Sequence, residues 1–117
     1  MGMDLSMAFV VPRREPPAIE IRVNFGVFAG REATPAEIDR LAEWLLDEVQ
    51  DVSIISEERH EIDANVEASV HLVRIEVTDG VPDDAAARDA LEGRILERAE
   101  HWARQCVADR HADVAEL

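Results

Sequence analysis

The sequence predicts a two-layer α+β domain, on three observations: a strictly alternating segment, a capped amphipathic helix after it, and a long apolar stripe near the end of the chain. Ile19, Ile21, Val23, Phe25 and Val27 alternate with Glu20, Arg22, Asn24 and Gly26, the period-two pattern of a strand with one buried and one polar face. Thr34-Pro35-Ala36-Glu37 has the form of a capping box with proline at the first helical position, so a helix starts there. Leu91, Ile95, Ala99, Trp102 and Cys106 recur at helical spacing, with Leu96, Ala103 and Val107 widening the stripe.

Taken in order, residues 1–17 form a lead in which Ala8-Phe9-Val10-Val11 precedes a proline-rich stretch ending at Pro17. Proline fixes an extended backbone there, so the lead is either unstructured or an added edge strand over residues 7–11. The first strand runs from Ile19 to Val27. The first helix carries Ile38, Leu41, Leu45 and Val49 on its buried side, with Ala42, Trp44 and Leu46 beside them, and ends near Gln50. Val52 to Val77 reads as two strands joined by a turn at Asp63-Ala64-Asn65. The apolar positions of the return strand change parity between Leu72 and Val73, which calls for a bulge or for cover on both faces. The outer part, Ser56 to Glu61, is so polar that it projects as an arm. After the Asp79-Gly80 turn the second helix opens at Val81-Pro82-Asp83-Asp84 and runs to about Asp109. Asp84 with Arg88, and Glu100 with Arg104, stand one turn apart on it; Gly93 weakens it mildly, and the tail 111–117 frays.

The order is thus β-α-β-β-α in one domain over residues 18–110, with two helices on one face of an antiparallel sheet. A right-handed crossover followed by a hairpin gives the strand arrangement of a ferredoxin-like plait without its last strand. The edge so exposed requires the N-terminal segment or a second subunit to cover it.

Composition narrows the partners. Twenty-six acids oppose twelve basic residues, all of them arginine, for a net charge of −14. The excess is even along the chain, and an evenly acidic surface repels phosphate backbones and anionic membranes. A GC-rich or salt-tolerant source would produce the same balance. Cys106 is the only cysteine, which excludes an internal disulfide and a cysteine-based zinc site and fits the reducing cytoplasm. The early apolar run from Met7 to Val11 is too short for a signal peptide or a span. Gly2 and Ser6 match a loose N-myristoylation pattern that nothing else in the chain supports.

Three places qualify as candidate sites. On the arm, a turn centred near Asn65-Val66 sets His60 opposite His71 beside Glu58, a ligand set suited to a metal, whereas a tighter turn at Ala64-Asn65 sets Ser69 there instead. Before the first helix, Gly26, Gly30 and Arg31 precede an N-terminus that favours an anion. On the sheet, Glu20, Arg22 and Asn24 share a face that Arg74 and Glu76 join if the register allows, lining a shallow ligand site or a sheet-to-sheet dimer interface. Binding therefore falls to Arg22, Asn24, Arg31, His60, His71 and Arg74.

No nucleophile-and-base spacing occurs, and no catalytic residue, metal or cofactor is assigned. The favoured function is a non-enzymatic binding or assembly module, a homodimer meeting a protein or small ligand. The alternative is a small dimeric enzyme using His71 or His60 with a carboxylate as acid and base. A third reading is an acidic accessory protein that imitates nucleic acid.

Overall fold

A computed structural model of the chain describes residues 7–12, 18–62 and 67–115. Its elements are β1 (Ala8–Val11), β2 (Ile19–Val23), α1 (Phe25–Ala29), α2 (Pro35–Leu45), β3 (Ser53–Ile62), β4 (Glu67–Val77) and α3 (Ala85–Ala115). The sheet is antiparallel, four-stranded and open, in the order β1-β2-β4-β3. The Gly2–Ser6 pattern, the proline-rich part of the lead beyond Pro12, and the Asp63-Ala64-Asn65 turn lie outside the described residues.

The alternation of the first strand decides which side is inside. Ile19, Ile21 and Val23 are fully buried, with Val73, Ile75 and Val77 of β4 on the same side through the pairs Ile19–Val77, Ile21–Ile75 and Val23–Val73. These residues join Leu41 and Leu45 of α2 and Leu91, Ile95, Ala99, Trp102, Ala103 and Cys106 of α3 in one core. The segment 8–11 is a strand, pairing with β2 from Ala8–Val23 to Val11–Glu20, so the chain itself covers the edge beside β2.

The first strand is shorter than its pattern. It ends at Val23, and Phe25–Ala29 closes into the short helix α1, leaving Val27 half exposed instead of buried. A side chain on Gly26 would meet the backbone N and O of His71 at 2.8 Å, so only glycine lets α1 lie this close to β4. Phe25 then packs on Trp102 in a tilted pair with ring centroids 5.3 Å apart, contact that an extended chain would forgo.

The capping box is as expected: Thr34 Oγ1 accepts from the Glu37 amide at 3.2 Å, and Glu37 Oε1 accepts from the Thr34 amide at 2.9 Å. Helix α2 stops at Leu45, short of Gln50, where the Leu46 amide donates to the Ala42 carbonyl and the Glu48 and Val49 amides to that of Leu45. Arg98 donates to the Trp44 carbonyl at 3.0 Å and pairs with Glu48 at 3.0 Å, satisfying a carbonyl the helix leaves open. Asp84 begins α3 by accepting from the Ala87 amide at 2.9 Å, and the helix continues through Ala115, into the residues expected to fray.

No bulge explains the parity change in β4. The β3–β4 pairing is continuous from Ser53–Glu76 to Ile62–Glu67, and Leu72 is buried on the side away from the core. Only Val73–Val77 of β4 pairs with β2, so β3 and β4 continue beyond the sheet as a two-stranded arm.

Candidate functional site

The side of the sheet turned away from the helices is ordered in rows. Register sets Phe9, Arg22, Arg74 and Ile55 side by side across the four strands, and beside them Val11, Glu20, Glu76 and Ser53. One row is therefore basic and the next acidic, each with a hydrophobe from β1 at its end. Phe9, Val11, Ile55 and Leu72 stand apart from the core cluster, and Phe9 is 39% exposed. The ion pairs run along each strand: Arg22 Nε to Glu20 Oε2 at 2.9 Å, and Arg74 Nε to Glu76 Oε2 at 3.4 Å. Glu20 is fully buried, whereas Arg22, Arg74 and Glu76 each keep between 23% and 29% of the side chain exposed. The Arg74 contact has the distance of an ion pair without the geometry of a hydrogen bond, and among the described residues its buried Nε has no hydrogen-bond partner. Asn24, the last polar residue of this parity, sits at the end of β2 with its main-chain N–H donating to the Met7 carbonyl at 2.9 Å.

The arm takes the tighter of its two registers. His60 pairs with Ser69, and His71 lies opposite Glu58, so the two imidazoles are diagonal neighbours rather than partners. His60 stands 3.8 Å from Glu58, and His71 Nδ1 3.8 Å from Glu32, both beyond hydrogen-bond length. Among the described residues no group of three or more His, Cys, Asp or Glu side chains is placed to hold a metal ion.

Arg31 is committed within the chain. Its guanidinium forks onto both carboxylate oxygens of Glu37, at 2.7 and 2.8 Å, and lies over the Phe25 ring at 5.4 Å. Hydrogen bonding from Arg31 holds the Glu37 carboxyl down at about 2 against the cost of its burial. Burial, reinforced by the Glu37 carboxylate, pushes the Cys106 thiol up to about 12, so it is no nucleophile at neutral pH. The residues before α2 thus join its first turn and the middle of α3 in a structural knot of Phe25, Arg31, Thr34, Glu37, Trp102 and Cys106.

One feature carries no motif in the sequence. Trp44 and His101 stack with ring centroids 5.4 Å apart in an open groove of about 730 Å³ between α2 and α3, also lined by Arg98 and Arg104. Position 44 belongs to the stripe of α2 and position 101 lies beside that of α3; only the crossing of the two helices brings the rings together.

The class defined is an α+β domain with an open antiparallel four-stranded sheet, whose helices pack to one core and whose other side carries paired charge rows. No helix among the described residues is long and apolar enough to cross a membrane. No family model matches the chain, and neither a curated protein nor a solved structure matches it.

Proposed function

We propose that the chain is a non-enzymatic assembly module, acting in the cytoplasm as a homodimer that pairs through the helix-free side of its sheet. The observation that carries this reading is the composition of that side: hydrophobes outside the core flank two rows of opposite charge in which Arg22, Arg74 and Glu76 are partly exposed and Glu20 is buried. A sheet side with no larger function is ordinarily solvated and polar throughout. The edge beside β2 gives no support for pairing by strand addition, since β1 occupies it. On this reading the fold is a ferredoxin-like plait in which the N-terminal β1 takes the edge position of the usual last strand; the adjacency of β2 and β4, with β3 outside, supports it.

Sedimentation velocity between 10 and 500 μM (roughly the range in which micromolar to sub-millimolar dimers dissociate) tests the proposal. A concentration-dependent shift to twice the monomer mass is expected, and a monomer throughout the range overturns it. The catalytic alternative rests on the Glu32–His71 and Glu58–His60 approaches. It asks for a concave, partly buried pocket, and His60 is 60% exposed.

A further inference from the structure

Resting on the homodimer reading, we infer that the two copies pair face to face about a two-fold axis lying across the strands, so that Arg74 of each copy meets Glu76 of the other. The rows select this axis. Two sheets can stack about an in-plane two-fold that runs either along the strands or across them, both keeping the strands within about 30° of alignment. An axis along the strands reverses strand order and keeps the rows, setting Arg22 over the second copy's Arg74 and Glu20 over its Glu76. Four like-charged contacts would then be juxtaposed, two between arginines and two between glutamates, which is strongly disfavoured.

An axis across the strands, placed between the rows, does the opposite. It keeps strand order and exchanges the rows, because Phe9, Arg22, Arg74 and Ile55 share one row and Val11, Glu20, Glu76 and Ser53 the next. Arg74 then faces the second copy's Glu76, Arg22 its acidic row, in which Glu20 itself stays buried in its own chain, and Phe9 its Val11. The partly exposed Arg74 and Glu76 meet opposite charge, and the exposed phenyl ring of Phe9 meets a hydrophobe. The surface is self-complementary by its own register, which is what an isologous contact requires. The exposed 29% of the Arg74 side chain is what the second copy's Glu76 reaches in this arrangement.

The contact is small. Strands about 4.8 Å apart and same-side residues about 6.8 Å apart make four strands by two rows a patch of a few hundred Å². A stable interface buries about 800 Å² on each partner, so the dimer forms in the micromolar range or weaker.

A charge-exchange cycle, read by sedimentation with thermal unfolding of each variant as the control for folding, tests the pairing. R74E and E76R each set like charges across the axis and are expected to weaken the dimer at least tenfold. The double variant R74E/E76R keeps the net charge and restores opposite charges across the axis, and is expected to return to within threefold of the parent. E76R is the sharper single variant: it lowers the overall negative charge, so a generic relief of repulsion would tighten the dimer where the proposed contact loosens it. A parent dimer unaffected by either single change overturns the two-fold pairing and leaves the homodimer reading intact. A double variant as weak as the singles also overturns the pairing, and a monomeric parent overturns both.

Discussion

The indole Nε1 of Trp102 donates to the main-chain carbonyl of Glu37 at 2.8 Å, fastening the middle of α3 to the first turn of α2. The same indole is fully buried and packs on Phe25, so one side chain supplies both apolar bulk and a specific hydrogen bond. Trp102→Phe keeps a ring but deletes the donor and leaves a gap; it should cost about 1–3 kcal/mol of unfolding free energy in urea. Trp102→Ala should cost about 3–5 kcal/mol. A loss under 0.5 kcal/mol (about the scatter of a surface substitution) for the phenylalanine variant would show that the indole N–H contributes nothing.

Glu37 makes stability depend on acid in a defined window. Its folded pKa of about 2 lies below the ordinary 4.5, so the unfolded chain binds more protons between the two values. The contribution is fully present above pH 4.5 and lost as pH falls towards about 2. It amounts to about 3 kcal/mol. The difference in unfolding free energy between the parent and Glu37→Gln should therefore be constant above pH 5 and shrink below it. A difference that does not change between pH 5 and 2.5 would mean the Arg31 fork does not hold the carboxylate.

Two glycines should respond to alanine in opposite directions. Gly26 has the His71 backbone where its Cβ would go, so Gly26→Ala must move α1 off β4 and should lose about 1–3 kcal/mol. Gly93 lies exposed in α3 with nothing near its missing Cβ, and Gly93→Ala should gain about 0.5–1 kcal/mol. Equal melting temperatures for the two variants would contradict the close approach of α1 to β4.

Cys106 should be silent until the core opens. With the thiol raised to about 12 and the side chain buried, alkylation by iodoacetamide at pH 8 should be at least a hundredfold slower than for a free thiol and recover fully in denaturant. Rapid labelling of the native protein would place Cys106 outside the core.

What the amino-acid order determines by itself is whatever depends on near neighbours. Thr34 and Glu37 close their box within four residues, Leu91 to Cys106 recur at the helical period, and Ile19, Ile21 and Val23 alternate, so these elements are legible before any fold is known. Residue pairs distant in the chain obey no local period, and the tertiary structure alone decided them. Phe25 and Val27 continue the alternation of β2, yet Gly26 against His71 and Phe25 against Trp102 turn that stretch into a helix. His60 faces Ser69 instead of His71 because a shift of one or two residues in a hairpin changes every pair while leaving each strand's pattern the same. Arg31, free to hold an anion as far as its neighbours show, is captured by Glu37 six residues on. The two charge rows exist for the same reason: Glu20 with Arg22, and Arg74 with Glu76, stand far apart in the chain, and only the pairing of β2 with β4 aligns like with like.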